Sequence, residues 1–358
     1  MDKCSKCEAE ECKDLKKCTG CYQVSYCSRK CQSDHWRHHK TQCKPYKLTA
    51  LGGKGLGYVA TRKIKKGELL LKEEPILIRQ VTDTNKTSLP SQQFHSLSNS
   101  VQRDVFSLHI KDPLTEIPFT EFDSDAQNDI MESVGDDCNS SLGSKMLEGV
   151  FNSNGIWMRY NSSGGSDCGL YLSFSRLNHS CLPNLVCTNS NERGVMEVRT
   201  IRSIAPGEEL CVNYIQGYED FLTSEQRLAR LSREWRFDCM CDLCQDAEES
   251  DTRRRELLTL HSSLRSLMER GNIQEALRTA EMKLSLMKDH EQEFAPMIPY
   301  VMIDVYLISR CGKLHGLTMP DYSQYLRDSL KIAESMGEDH VKKLKQKMDV
   351  KIKSSFIC

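Results

Sequence analysis

Long hydrophobic runs are missing from this chain. No apolar stretch reaches the roughly 18 residues that a membrane span needs. The best stretch, around 298–308, is interrupted by Asp304 and reads as a core helix. Net charge is nearly absent: 49 Lys and Arg stand against 50 Asp and Glu, so the chain as a whole shows no nucleic-acid footprint. The first 47 residues differ, with eleven Lys/Arg against six Asp/Glu. That local excess suits either an acidic partner or a plainly solvated surface. Low-complexity tracts are missing, and so is a clear basic localisation run. The opening residues MDKCSKCEAEEC lack the apolar core of a secretory signal, so a protein of the cytoplasm, the nucleus or both is expected, a monomer without membrane attachment. The sequons at Asn139 and Asn161 are then chance matches.

Cysteine is what abounds, with 18 residues in the chain. They come as CxxC pairs near histidine, which is metal spacing, and this points to thiolates on zinc in a reducing compartment rather than to disulfides. Residues 1–44 carry Cys4-x2-Cys7, Cys18-x2-Cys21, Cys27-x3-Cys31 and His39-x3-Cys43. A CxxC turn lets two thiolates meet one ion at about 2.3 Å. The i, i+4 spacing of Cys27 with Cys31 and of His39 with Cys43 puts each pair on one helix face. Eight ligands fill two tetrahedral sites and leave no open position, so these zincs are expected to be structural. The segment has few large hydrophobes and must draw its folding energy from metal. Cys12 falls outside the pattern and is expected to be an ordinary thiol. The spacing is not that of a C2H2 finger, which argues against DNA reading.

The rest of the chain alternates in character. Residues 49–80 contain short β-type runs at 57–61, 68–72 and 75–79, and the turn Lys65-Lys66-Gly67-Glu68 reads as a hairpin. Residues 81–150 form a polar loop at 82–90 and weakly periodic helical stretches at 92–110 and 125–150. Short strands return at 169–174, 196–200 and 209–214, followed by Cys239-x-Cys241-x2-Cys244. From about Thr252 the pattern is helical: 255–269, 273–288, 299–310 and 322–336. Three segments carry further chemistry. Gly52-Gly53-Lys54-Gly55-Leu56-Gly57 lets backbone approach a ligand, but no Gly-Lys-Ser/Thr follows, which excludes a P-loop. The others are Ser175-Arg176-Leu177-Asn178-His179-Ser180-Cys181-Leu182-Pro183-Asn184 and Glu208-Glu209-Leu210-Cys211-Val212-Asn213-Tyr214.

The N-terminal segment resembles the MYND finger family through Tyr26-Cys27-Ser28-Arg29-Lys30-Cys31-Gln32 and Trp36-x2-His39-Lys40-x2-Cys43. The resemblance implies interleaved sites: Cys4, Cys7, Cys27 and Cys31 on one zinc, Cys18, Cys21, His39 and Cys43 on the other, with His35 and His38 as non-ligands. It also implies binding of proteins, often proline-rich peptides, for which Trp36 is either an exposed anchor or a packing residue. The glycine loop, the two later segments and the second Cys cluster, in that order over residues 50–246, resemble a SET domain. Together the pair is similar to the SMYD class of protein-lysine methyltransferases. In the best-known members the finger is inserted inside the SET domain; here it precedes Gly52, which leaves its placement against the site open. The fold expected is α+β: a finger at 1–44, a β-rich domain at 49–246 with a helical insert at 81–150 and a post-SET zinc site at 238–246, and a helical lobe at 252–358. Gly271–Leu277 and Ala333–His340 of that lobe resemble fragments of tetratricopeptide repeats.

The resemblance implies S-adenosylmethionine as cofactor and a lysine-bearing protein as substrate. Lys54, Gly55, Leu56, Gly57, Asn152, Asn178 and His179 would contact the cofactor, with Phe237 over its adenine face. Tyr214 is the expected catalytic tyrosine. Tyr171 either lines the lysine channel or packs in the core. Cys181 would complete the set Cys239, Cys241 and Cys244, making three zincs per chain. Trp235 stands where well-known members carry a channel tyrosine. That substitution keeps open a second reading, an adaptor of weak activity that recruits partners in transcriptional regulation.

Overall fold

The computed structural model describes residues 3–8, 15–21, 24–40, 43–80, 88–110, 117–158, 167–190, 194–215 and 221–354. Cys12 and the sequon at Asn161 lie outside them. The described chain is α+β, as expected from the sequence.

In the finger, a ribbon of Lys16–Lys17 and Ser25–Tyr26 leads to the helix Arg29–His39. Ser28 caps that helix by accepting from the Cys31 amide at 3.1 Å, which satisfies an orphan donor of the first turn. Among the described residues, Cys4, Cys18, Cys21 and Tyr26 form a small buried cluster here, too little apolar surface to fold on its own.

The next strand, Tyr46–Leu51, pairs antiparallel with Gly55–Ala60, Tyr46 facing Ala60 and Leu51 facing Gly55. The glycine loop is the turn of this hairpin, with Gly53 and Gly55 at φ 75° and 71°. Two three-stranded sheets follow. In one, Val195–Thr200 lies between Leu185–Ser190 and Leu69–Glu73; in the other, Cys168–Leu170 lies between Leu77–Arg79 and Ile156–Trp157. The turn at 65–68 forms, with Gly67 at φ 81°, but it is not a hairpin. Gly55–Ala60 pairs with Tyr46–Leu51 and Leu69–Glu73 with Val195–Thr200, so the turn joins different sheets. Turn chemistry sets a chain reversal; it does not say which strands pair.

The insert comprises the helices Ser91–His95, Asn99–Phe106, Ser124–Glu132 and Leu142–Asn154. The periodic stretch read at 125–150 is two helices, because Ser141 caps a fresh start by accepting from Ser144 at 3.0 Å. The second begins beside the first: a Cβ on Gly143 would meet the Ile130 carbonyl at 2.1 Å.

Helices at Ala247–Glu269, Ile273–Asp289, Ile298–Leu314 and Ser323–Met336 fall where the sequence pattern places them, and Ala280, Leu284, Met287, Val301 and Val305 join their core. A further helix, Glu338–Ser354, packs Leu344 against Ile303 and Ala333. No described helix is long and apolar enough to cross a membrane.

The finger is tied to the hairpin by two polar contacts. Thr61 Oγ1 donates to the Cys21 carbonyl at 2.5 Å and Arg62 Nε to the Gly20 carbonyl at 2.8 Å.

Candidate functional site

Three groups of metal-ligating side chains converge, each with its ligand atoms within 4.8 Å of one another: Cys4, Cys7, Cys27 and Cys31; Cys18, Cys21, His39 and Cys43; Cys181, Cys239, Cys241 and Cys244. Tetrahedral coordination at 2.3 Å separates two sulfurs by about 3.8 Å. The sulfurs of Cys7 and Cys27 are 3.6 Å apart, those of Cys18 and Cys43 3.6 Å, and those of Cys181 and Cys244 3.5 Å. Cys21 Sγ and His39 Nε2 are 3.4 Å apart. All three donor sets therefore fit zinc, and the pairing is interleaved. Packed this closely without a cation, the last four sulfurs cannot share one charge state. Hydrogen bonds with Cys239, Cys241 and Cys244 push the Cys181 thiol far up, while hydrogen bonds with Cys181, Cys241 and Cys244 pull Cys239 far down. A divalent cation removes that conflict by deprotonating all four. A zinc with four thiolates carries a net charge of 2−, and buried Arg227 stands beside it with Nη2 3.7 Å from Cys244 Sγ. Burial lowers the affinity of Arg227 for its proton, but the Cys181 and Cys244 sulfurs more than restore it. This arginine has no motif to announce it in the sequence.

His179 and Cys181 lie two residues apart on the segment whose strand, Asn178–His179, pairs parallel with Cys211–Val212. The Tyr214 amide donates to His179 Nδ1 at 2.9 Å, so the proton sits on Nε2, which lies 3.3 Å from Cys181 Sγ. The imidazole thus bridges the third cluster to the backbone of Tyr214. Both ring nitrogens are engaged, which leaves the backbone of His179, not its ring, to meet a cofactor. The Tyr214 hydroxyl donates to the Leu177 carbonyl at 2.7 Å. Around its ring stand His179 at 5.3 Å, Trp235 at 5.4 Å and Phe237 at 6.3 Å between centroids. Trp235 ends the helix Ser224–Trp235, and Arg236 at φ 60° and ψ 38° closes it in the left-handed conformation before Phe237.

The glycine loop meets this segment at Asn178. Its Nδ2 donates to Glu209 Oε1 at 3.0 Å, and Lys54 Nζ donates to Glu209 Oε2 at 2.7 Å. Burial draws the Lys54 ammonium down, and the Glu209 carboxylate more than offsets this, holding it above its usual range. A Cβ on Gly57 would lie 2.5 Å from both Asn178 Nδ2 and Leu51 Cδ1, so only glycine lets strand and amide approach this closely. Gly57→Ala is therefore expected to push Asn178 aside and weaken cofactor binding by roughly tenfold, about 1.4 kcal/mol, while circular dichroism stays native. Unchanged calorimetric affinity would show that the close approach has no bearing on the site. The sequence reading passed over Glu209. Its neighbour Glu208 turns the other way, to Asn184 Nδ2 at 3.1 Å and Arg202 Nη2 at 2.5 Å.

Two expected site residues lie apart from this group. Asn152 is exposed near the end of the helix Leu142–Asn154. Tyr171 is fully buried, donates its hydroxyl to the Gly194 carbonyl, and packs edge-on to Phe174 at 6.4 Å, which is the packing reading of that residue. Trp36 of the finger is 46% exposed, its ring 6.0 Å from that of His39.

Residues 55–215 match the SET domain family and residues 4–43 the MYND finger family. Similar curated proteins include the human histone-lysine N-methyltransferase SMYD1, at 26% identity over 66% of this chain and 46% of the relative. Xenopus laevis N-lysine methyltransferase SMYD2-B is 27% identical over 69% of this chain and 51% of its own length. Mouse histone-lysine N-methyltransferase SMYD3 is 26% identical over 66% of this chain and 50% of its own. The chain spans about half the length of these curated relatives. With a MYND zinc finger followed by a SET domain, the chain belongs to the SMYD-like family.

Proposed function

We propose that this chain is an S-adenosylmethionine-dependent protein-lysine N-methyltransferase acting on lysines of histone or non-histone proteins. One observation carries the reading: Tyr214, its hydroxyl on the Leu177 carbonyl, stands among His179, Trp235 and Phe237, and the same 208–214 segment bears Glu209, the partner of Lys54 and Asn178. The names of the relatives, histone-lysine and N-lysine methyltransferases, support it.

The residues fit the cofactor. The turn at Gly53 and Gly55 leaves open space where side chains would stand, a cradle for close backbone approach. Lys54 offers a cation to the carboxylate of the amino-acid end, and Phe237 an apolar face to the adenine. S-Adenosylmethionine, when bound, supplies an electrophilic methyl on a sulfonium. The protein's task is to hold a neutral amine in line with it and to favour the cationic centre as charge moves. The Tyr214 and Leu177 oxygens, 2.7 Å apart, supply two dipoles of the right sign. Burial, reinforced by the charges of Cys211 and Glu209, raises the Tyr214 phenol above its ordinary range. It therefore keeps its proton at neutral and moderately alkaline pH and orients the amine without acting as its base. Incubating the purified chain with labelled S-adenosylmethionine and a protein array tests the proposal; no label on any protein would overturn it.

Trp235 faces the Tyr214 ring and would wall the lysine channel, binding an ammonium by its π face. Trp235→Tyr, which removes bulk, is expected to raise activity or to add further methyls to one lysine, read by mass spectrometry. Identical rates and methylation states would mean that Trp235 lies outside the channel. Exposed Trp36 is the finger's candidate anchor for proline-rich peptides.

A further inference from the structure

The amino-acid end of the cofactor is a zwitterion, and the methyltransferase reading assigns a partner only to its carboxylate. A positively charged α-amino group also has to be held in a partly desolvated cleft, and it needs an anion or a set of acceptors. The 208–214 segment, which reaches the glycine loop in space through Lys54, carries two adjacent carboxylates. Glu208 is taken: it pairs with Arg202 Nη2 at 2.5 Å, accepts from Asn184 Nδ2 at 3.1 Å, and accepts from the Ala205 amide at 2.9 Å. Glu209 meets the two side chains already expected to hold the cofactor, Lys54 at 2.7 Å and Asn178 at 3.0 Å, with the Cys211 thiol as a further neighbour, and its side chain is 20% exposed.

The geometry points to Glu209 as the residue that binds the α-ammonium of the cofactor, and we infer that the Lys54–Glu209 pair opens to admit the zwitterion between its charges. This rests on the S-adenosylmethionine reading above. The Lys54 side chain is 47% exposed and can swing into solvent, while Glu209, 20% exposed, stays in place. Each charge then finds a new partner of opposite sign: Lys54 the α-carboxylate, Glu209 the α-ammonium. Asn178 stays as the hinge, its amide donating to Glu209 and holding the carboxylate in place while Lys54 swings away.

Three ligands separate the charges in calorimetric titrations of the full, zinc-loaded chain. S-Adenosylhomocysteine carries both groups, decarboxylated S-adenosylmethionine keeps the ammonium alone, and methylthioadenosine has neither. Glu209→Gln is expected to weaken the first two at least tenfold and to leave the third unchanged. Lys54→Met is expected to weaken only the first. Glu209→Asp, which keeps the charge on a shorter stem, should fall between wild type and Glu209→Gln. If Glu209 merely competes for Lys54, Glu209→Gln would bind S-adenosylhomocysteine as well as wild type or more tightly, and the inference is overturned. It is overturned too if both Glu209 variants weaken all three ligands alike, since that marks a scaffold residue. Wild type binding none of the three would bring down the cofactor reading itself, and this inference with it.

Discussion

Tyr214→Phe is expected to lower methyl transfer on the order of a hundredfold or more while S-adenosylhomocysteine affinity stays within a few-fold. The removed atom is one oxygen, held 2.7 Å from the Leu177 carbonyl and positioned from behind by the His179 ring on the Tyr214 amide. Loss of one preorganised dipole at a reacting centre costs about 10²–10³ in rate. The same change leaves the Leu177 carbonyl without its donor, which costs about 1–3 kcal/mol of stability. The two effects come apart in measurement. A tyrosine that only packs would lose stability and keep its rate. A catalytic one loses rate at saturating cofactor, with kcat and kcat/KM falling together. Full activity in the phenylalanine variant would remove Tyr214 from the chemistry.

Cys241→Ser is expected to take the zinc content from three to two per chain and to weaken cofactor binding strongly. Serine offers a hydroxyl where a soft thiolate is needed, and a structural zinc holds about 10–16 kcal/mol of folding energy in small metal-folded peptides at neutral pH. The damage should spread inward through a short path. Cys181 belongs to the same cluster, its sulfur faces His179 Nε2 at 3.3 Å, and His179 holds the Tyr214 amide. Arg227 would also lose the negative charge beside which it is buried. The finger should keep its two ions, because its ligands come from residues 4–43 only. Elemental analysis and calorimetry read both results. Wild type with two zincs would refute the third site. Loss of all three in the variant would show that the metal regions fold as one.

The metal ligands were legible in the sequence because ligand spacing is a local property. CxxC turns bring two thiolates to one ion before any tertiary contact forms; the i, i+4 pairs do not share a helix face as expected, because the helix runs Arg29–His39, with Cys27 before it and Cys43 beyond it. The helical lobe was legible for the same reason, through its apolar period. Glu338–Ser354 escaped because it is a charged helix, with Lys342, Lys343, Lys345 and Lys347 masking the apolar face that buries Leu344. Strand partners were not legible. Nothing at 65–68 tells that Leu69–Glu73 pairs with a strand 125 residues on, a non-local contact decided by the whole sheet. At the site, the sequence named motif residues but did not show which side chains bond one another. His179 was expected to contact the cofactor, and its ring accepts from the Tyr214 amide and faces the Cys181 sulfur. Glu209 was read only as part of a motif, because two adjacent acids give no sign of which one faces the loop.

Arg62 spans the seam between finger and hairpin. Its Nε reaches the Gly20 carbonyl, while Nη2 and Nη1 hold Glu68 at 2.5 and 3.4 Å and Nη1 also reaches the Lys63 carbonyl at 2.9 Å. Lysine carries a single nitrogen and cannot serve such a fork. The finger and the β-domain follow one another along the chain, each with its own metal ligands or core. At this seam they are joined: Arg62 and Glu68 answer to each other and to a glycine whose Cβ would strike the Cys43 sulfur at 2.7 Å. Divergent copies of this chain should therefore change Arg62 and Glu68 together or leave both alone, while Gly20 is held separately by the Cys43 sulfur.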